Sequence, residues 1–166
     1  MRIPIVNEQD EVIEYKDKKD RSPLEITRIT GLWLWNEKGE VLLAQRAFSK
    51  KMNPGLWGPA VAGIVEEGES YESNIIKEVE EEIGLKDLKP QLGPKLRRTT
   101  LHAYFVQWFI ATINSEYPLV KQDSEVEAIK WFKKEELFKI LQEKPEIFLP
   151  SLKESAMYYF NHENKN

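Results

Sequence analysis

The run GIVEEGESYESNIIKEVEEEIGL, residues 63–85, decides how this chain is read. Within it Tyr71, Ile75, Val79 and Ile83 recur every four positions, which places them on one stripe of an α-helix and not on one face of a strand. Ser70 stands where an N-cap hydroxyl accepts a free amide, and Gly84 where a left-handed residue ends a helix. The spacing therefore predicts a helix over residues 71–83. Its polar face is acidic: Glu72, Glu78, Glu80, Glu81 and Glu82 lie on it, and Lys77 is the one basic residue of the whole run.

At about 100° per residue, Glu82 lies about 40° from Glu78 on one side and Glu81 about 60° on the other, whereas Glu80 falls on the far side. Three carboxylates thus point the same way, at the border of the apolar stripe. Like charges at this spacing repel by about a few tenths of a kcal/mol per exposed pair, and by more when half buried. A hard divalent cation such as Mg²⁺ relieves that repulsion, because it prefers oxygen ligands and commonly bridges carboxylates to phosphates. The plainer alternative is a solvated acidic face, and the residues around the helix weigh against it.

Outward from the helix, residues 26–35 and 41–45 read as two strands joined by the turn Asn36, Glu37, Lys38 and Gly39. Residues 3–6 and 12–15 read as short strands around a polar turn, and residues 17–21 as a charged linker. Pro54, Gly55, Gly58 and Pro59 make residues 49–59 irregular, and a short apolar strand follows at residues 61–65. Residues 101–113 and 126–132 read as strands, residues 134–143 and 151–161 as helices, and residues 162–166 as a frayed tail. Strands on either side of a central helix, with further helices at the end, give an α/β fold with a mixed sheet covered by helices. The 166 residues suit a single domain, 1–166, in which residues 1–25 are N-terminal strands and linker.

Composition narrows the chemistry. The chain has no cysteine, which excludes disulfides, cysteine-built zinc sites and thiolate catalysis. With 24 basic and 28 acidic residues the formal net charge is -4, so duplex nucleic acid is a poor partner. The longest nearly apolar stretch, residues 103–113, is broken by Gln107 and far shorter than the roughly 20 residues of a membrane span. The opening MRIPIVNEQDEV places acids where a signal peptide needs a basic start, so the expected location is the cytoplasm.

The run at residues 63–85 resembles the signature of the Nudix hydrolase family: G, five residues, E, seven residues, then R-E-U-x-E-E-x-G-U with U apolar. The corresponding residues are Gly63, Glu69, Lys77, Glu78, Val79, Glu81, Glu82, Gly84 and Leu85, and only Lys77, where the family has Arg, departs from it. The resemblance extends from residue 26 to residue 137, through Gly39 to Arg46, Trp57, and Glu125 followed by Trp131 and Glu135. It implies an α/β/α sandwich in which a loop, helix, loop element holds Mg²⁺, with Mn²⁺ as a substitute. Carried over position by position, Glu78, Glu82 and the Gly63 carbonyl would be metal ligands, and Glu81 a further ligand or base. Glu69, Lys77 and Gly84 would support the box. Glu125 resembles a glutamate that some members use as ligand or base, a role open also to Glu127.

The stretches VNEQDEVI, AQRAFSKKMNPGLW and GIVEEGESY bear a closer likeness to bacterial Nudix proteins related to isopentenyl diphosphate isomerase. In that isomerase a basic pair spaced like Arg46 and Lys50 grips the substrate diphosphate, as a forked guanidinium and a point-charge ammonium are suited to do. Ordinary loop charges are the alternative. Trp57 either stacks on a base or plugs the core, the commoner use of a buried Trp. His102, on an aromatic strand, reads as locally satisfied.

The resemblance implies Mg²⁺-dependent hydrolysis of a diphosphate linkage in a nucleoside diphosphate joined to a group X, or in a related small diphosphate. Isomerisation of isopentenyl diphosphate is disfavoured, since that enzyme's proton-transfer pair is a cysteine and a glutamate and this chain has no cysteine. A nucleotide- or metal-binding module without catalysis is the third reading. The group X and the oligomeric state, a homodimer included, are left open by the sequence.

Overall fold

The computed structural model describes residues 1–163, with side chains to residue 157. These residues form two compact units interleaved along the chain, Met1–Trp33 with Val61–Ala111, and Leu34–Ala60 with Thr112–Asn166.

In the first unit, β1 (Arg2–Val6) and β2 (Val12–Asp17) pair antiparallel as a hairpin. The first half of β3 (Thr27–Asn36) pairs with β6 (Val61–Ile64), in a register that puts Thr30 opposite Gly63. Helix α1 (Tyr71–Ile83) has the predicted bounds, and its ends show why. Ser70 Oγ accepts from the Ser73 amide at 3.0 Å, and Ser73 Oγ accepts in return from the Ser70 amide at 2.9 Å, which satisfies two donors that the first turn leaves free. Gly84 closes the helix at φ 67°, a conformation that costs a glycine nothing. Ile75, Val79 and Ile83 are wholly buried along the predicted stripe, and each contributes about 1.5–3 kcal/mol by leaving water.

The unit ends with β7 (Gln91–Thr99) paired antiparallel to β8 (Ala103–Ile113). β7 has no clear alternation of apolar and polar residues. Gly93 and Pro94 sit at an irregularity of register between Leu92 and Lys95, where a missing amide does little harm. His102 lies in the turn before β8 and not on the strand, and its buried Nδ1 has no hydrogen-bond partner among the described residues. Local satisfaction, expected from sequence, is not what the turn provides.

In the second unit, the latter half of β3 pairs with β4 (Glu40–Arg46), and β4 pairs with both β5 (Trp57–Pro59) and β9 (Val126–Lys133), all antiparallel. β5 lies inside the stretch expected to be irregular: three residues suffice to pair with β4, and Pro59 comes last. Trp57 meets the Phe132 ring edge-on at 5.5 Å, which is core packing. Helices α2 (Lys134–Glu143) and α3 (Pro150–Glu163) follow. Leu137, Leu141, Phe148 and Leu152 are buried with Val41, Leu42 and Leu43.

The larger sheet is a mixed one of seven strands in the order β5-β4-β3-β8-β7, with β6 beside β3 and β9 beside β4. The architecture is the mixed α/β class expected. Of the tail expected to fray, His162 and Glu163 close α3, and residues 164–166 lie outside the described residues. No helix among the described residues is long and apolar enough to cross a membrane.

Candidate functional site

In the first unit the site is built by α1, β6 and the loop between them. Gly63 on β6 faces Glu78 on α1 so closely that an added Cβ would lie 2.4 Å from Glu78 Cγ and 2.7 Å from its Oε1. Only glycine lets that carboxylate reach the strand's backbone. Asn74, one turn before Glu78 and wholly buried, organises the surroundings. Its side-chain amide donates to the Ile64 carbonyl at 3.1 Å, to Glu69 Oε2 at 2.8 Å and to Glu78 Oε1 at 3.3 Å, while its oxygen accepts from the Thr30 hydroxyl. Asn74 and Thr30 were not singled out from the sequence. The available signal was a polar residue beside the apolar stripe, four positions before Glu78.

Lys77 reaches across the loop, with Nζ 2.6 Å from Glu69 Oε1, 2.9 Å from Glu66 Oε1 and 3.7 Å from Glu78 Oε1. Burial lowers its pKa, but the hydrogen bonds to Glu69 and Glu66 outweigh that and hold the ammonium above its ordinary value. The opposite balance holds for Glu69, where burial raises the pKa and Lys77, the Glu66 amide and Asn74 bring it below the usual carboxylate range. Glu78, with a side chain 16% exposed, is pushed up by burial, and the charges of Glu81 and Glu69 add to the push against the pull of Lys77. An anion held in a place that disfavours it would be relieved by a cation.

Glu81 is exposed and Glu82 half-buried on the turn after Glu78, and Glu80 is exposed and pairs with Lys86 at 3.7 Å. As the side chains stand, no group of three or more His, Cys, Asp or Glu among the described residues is gathered closely enough to hold a metal ion. The donor chemistry nevertheless fits a hard divalent cation: carboxylates on one helical face and a glycine cradle that brings Glu78 against backbone.

The other expected residues belong to the second unit. The loop after β4 is fixed by hydrogen bonds from the Arg46 amide to the Leu56 carbonyl at 2.9 Å and from the Gly55 amide to the Arg46 carbonyl at 3.1 Å. Arg46 Nε donates to the Met52 carbonyl at 3.1 Å. Lys50 and Glu125, far apart in sequence, form an ion pair at 2.6 Å, and the Glu125 carbonyl accepts from the Ala47 amide at 2.9 Å. The expected phosphate-gripping lysine and one of the candidate bases thus neutralise each other.

Known proteins resemble this chain in sequence and in fold. A stretch of 62 residues is 40% identical to an uncharacterised Nudix hydrolase of Pseudomonas aeruginosa and spans 37% of this chain and 37% of that protein. A stretch of 59 residues is 41% identical to isopentenyl-diphosphate Delta-isomerase of Escherichia coli, spanning 36% of this chain and 32% of that enzyme. The matches therefore span only about a third of these relatives' own lengths. A crystal structure of a Deinococcus radiodurans protein superposes with a TM-score of 0.81 at 22% identity, over 95% of this chain and 98% of that one, a likeness of fold. The family model of the NUDIX domain matches residues 26–152, and the chain belongs to that family.

Proposed function

We propose that the chain is a divalent-metal-dependent, Mg²⁺-using hydrolase of diphosphate linkages in small molecules of the form nucleoside diphosphate joined to X. The observation that carries this reading is the Gly63 and Glu78 contact, in which a half-buried carboxylate of raised pKa is held against strand backbone within a NUDIX signature. A bound Mg²⁺ or Mn²⁺ would neutralise phosphate charge and acidify a water. Glu78, Glu82 and the Gly63 carbonyl would hold it. Asn74 orients Glu78, and Lys77 with Glu69 ties the loop to the helix.

Glu81 or Glu125 would accept the proton of the attacking water. Arg46 and Lys50 would take phosphate oxygens, which requires Lys50 to leave Glu125. That ion pair is about a third exposed, with side chains 28% and 37% accessible, and such pairs are worth only about 0–1 kcal/mol. A diphosphate can displace it, and Glu125 would then be free to act.

The family match runs through both compact units, which supports one Nudix-like domain. Cytoplasmic location belongs to the same reading, and a homodimer is compatible with it. The partial likeness to the isomerase supports diphosphate recognition, while the absence of cysteine speaks against isomerisation.

The test is a screen of nucleoside triphosphates, nucleotide sugars, dinucleotides and prenyl diphosphates with Mg²⁺, the products identified by mass. Cleavage at a diphosphate is expected. Dimethylallyl diphosphate formed from isopentenyl diphosphate would establish the isomerase instead, and no turnover of any member would favour a binding module.

A further inference from the structure

Residues 1–25 precede the NUDIX match, yet the β1–β2 hairpin grips the signature at two points. The first is Asp10, in the hairpin turn at φ 63°, whose side chain is only 9% exposed. Its carboxylate accepts from Arg28 Nε at 2.8 Å, from Lys95 Nζ at 2.7 Å and from the Tyr71 hydroxyl, which lies 3.1 Å from each oxygen. Arg28 and Lys95 also lie over the Tyr71 ring, 5.3 and 5.4 Å from its centroid. Tyr71 is the first residue of α1. The second grip is on the loop: the Glu67 amide donates to the Arg2 carbonyl at 2.9 Å, and Arg2 Nη1 pairs with Glu67 Oε2 at 2.7 Å.

Between the grips run residues 68–70, with Glu69 at their centre. Glu69 is the residue that accepts from Asn74 and pairs with Lys77, the two neighbours of Glu78 Oε1. We propose that the hairpin is a positioning brace for the metal box, with Asp10 and Tyr71 as its latch and Arg2 as its second hold. A buried carboxylate serving two cations and a phenol favours one arrangement, because removing it leaves Arg28, Lys95 and the Tyr71 hydroxyl without the acceptor they share. The start of α1 and the middle of the loop at Glu67 are thereby held, which restrains the backbone that carries Glu69 between them.

The inference rests on the reading of the box as a metal site, so the experiment includes a variant of the box itself. Mn²⁺ binding to the full chain is followed by electron paramagnetic resonance of the free ion, for the parent, Asp10→Asn, Tyr71→Phe and Glu78→Gln, with circular dichroism to establish folding. Glu78→Gln is expected to weaken Mn²⁺ by at least about tenfold, and each latch variant by about three- to tenfold at unchanged secondary structure. A purely structural hairpin would lower the melting temperature and leave the Mn²⁺ affinity alone, which overturns the brace. Should Asp10→Asn fail to fold, Tyr71→Phe decides, since it keeps the ring beneath the cations and loses only the hydroxyl. Parent-like Mn²⁺ affinity in Glu78→Gln would remove the metal site, and the brace with it.

Discussion

Replacing Lys77 by alanine removes one ammonium from three carboxylates, at 2.6, 2.9 and 3.7 Å. The side chain is 31% exposed, between two measured limits. An exposed ion pair is worth about 0–1 kcal/mol, whereas stripping one partner from a buried pair costs about 3–5 kcal/mol. Two short contacts at this depth place the loss at about 1.5–3 kcal/mol. For a domain of this size each kcal/mol moves the melting temperature by about 2–4 °C, so a fall of about 3–12 °C is expected at pH 7.

The pH dependence has a definite sign. The Lys77 pKa is raised on folding, so its contribution is complete below the ordinary lysine value and is lost only as pH rises through the higher folded one. The Glu69 pKa is lowered, so its contribution is complete above 4.5 and is lost as pH falls through the depressed value. The gap in melting temperature between parent and Lys77→Ala should therefore hold from pH 6 to 8 and shrink in acid.

Without the brace on Glu69 and the charge near Glu78, the Mg²⁺ concentration for half-maximal rate should rise about tenfold or more, with a smaller loss of rate at saturating metal. Lys77→Arg, which restores the fork found elsewhere in the family, should leave that midpoint alone or lower it. Thermal melts by circular dichroism and a Mg²⁺ titration of the three proteins decide the matter. A Lys77→Ala protein that keeps the parent's midpoint would refute the reasoning and make the departure from the family's Arg a surface variation.

Three further outcomes are expected. Gly63→Ala sets a methyl 2.4 Å from Glu78 Cγ, so it should cost about 1–3 kcal/mol in a thermal melt and weaken Mg²⁺; parent-like values of both would deny the close contact its role. Arg46→Ala should lower kcat/KM by the equivalent of about 1.5–3 kcal/mol, the worth of a charge-assisted contact, and steady-state kinetics showing no change would remove Arg46 from the site. Lys50→Ala should raise KM more than it lowers kcat, because the lysine binds phosphate in the proposed reaction and leaves Glu125 unneutralised when absent; an unchanged KM would confine Lys50 to its ion pair.

Helix α1 was legible in the sequence because its period, cap and stop are all local: Ile75, Val79 and Ile83 repeat every four residues between Ser70 and Gly84. The common face of Glu78, Glu81 and Glu82 follows from helix geometry in the same way, though a shared face does not by itself gather the carboxylates, and among the described residues no three are close enough to hold a metal ion. β7 was hidden because an edge strand with a register irregularity can carry Gly93 and Pro94, both of which read as strand breakers. β5 was hidden because its three residues owe their conformation to pairing with β4 and not to any propensity of their own. Partners distant in sequence leave no local trace, as with Lys50 and Glu125 or Asp10 and Lys95. Asn74 is the instructive omission, since its four-residue offset from Glu78 was visible while its burial came only with the packing of α1 on β6.

The most direct test of the central claim compares Glu82→Gln with Glu80→Gln at saturating Mg²⁺, on whichever diphosphate the parent cleaves. Glu82 shares the face of Glu78 and loses an anionic ligand, so turnover should fall by at least about 10²-fold with the fold intact, whereas the exposed Glu80 points away and its variant should match the parent. Equal turnover in Glu82→Gln and the parent would contradict the assignment of the metal to this helix.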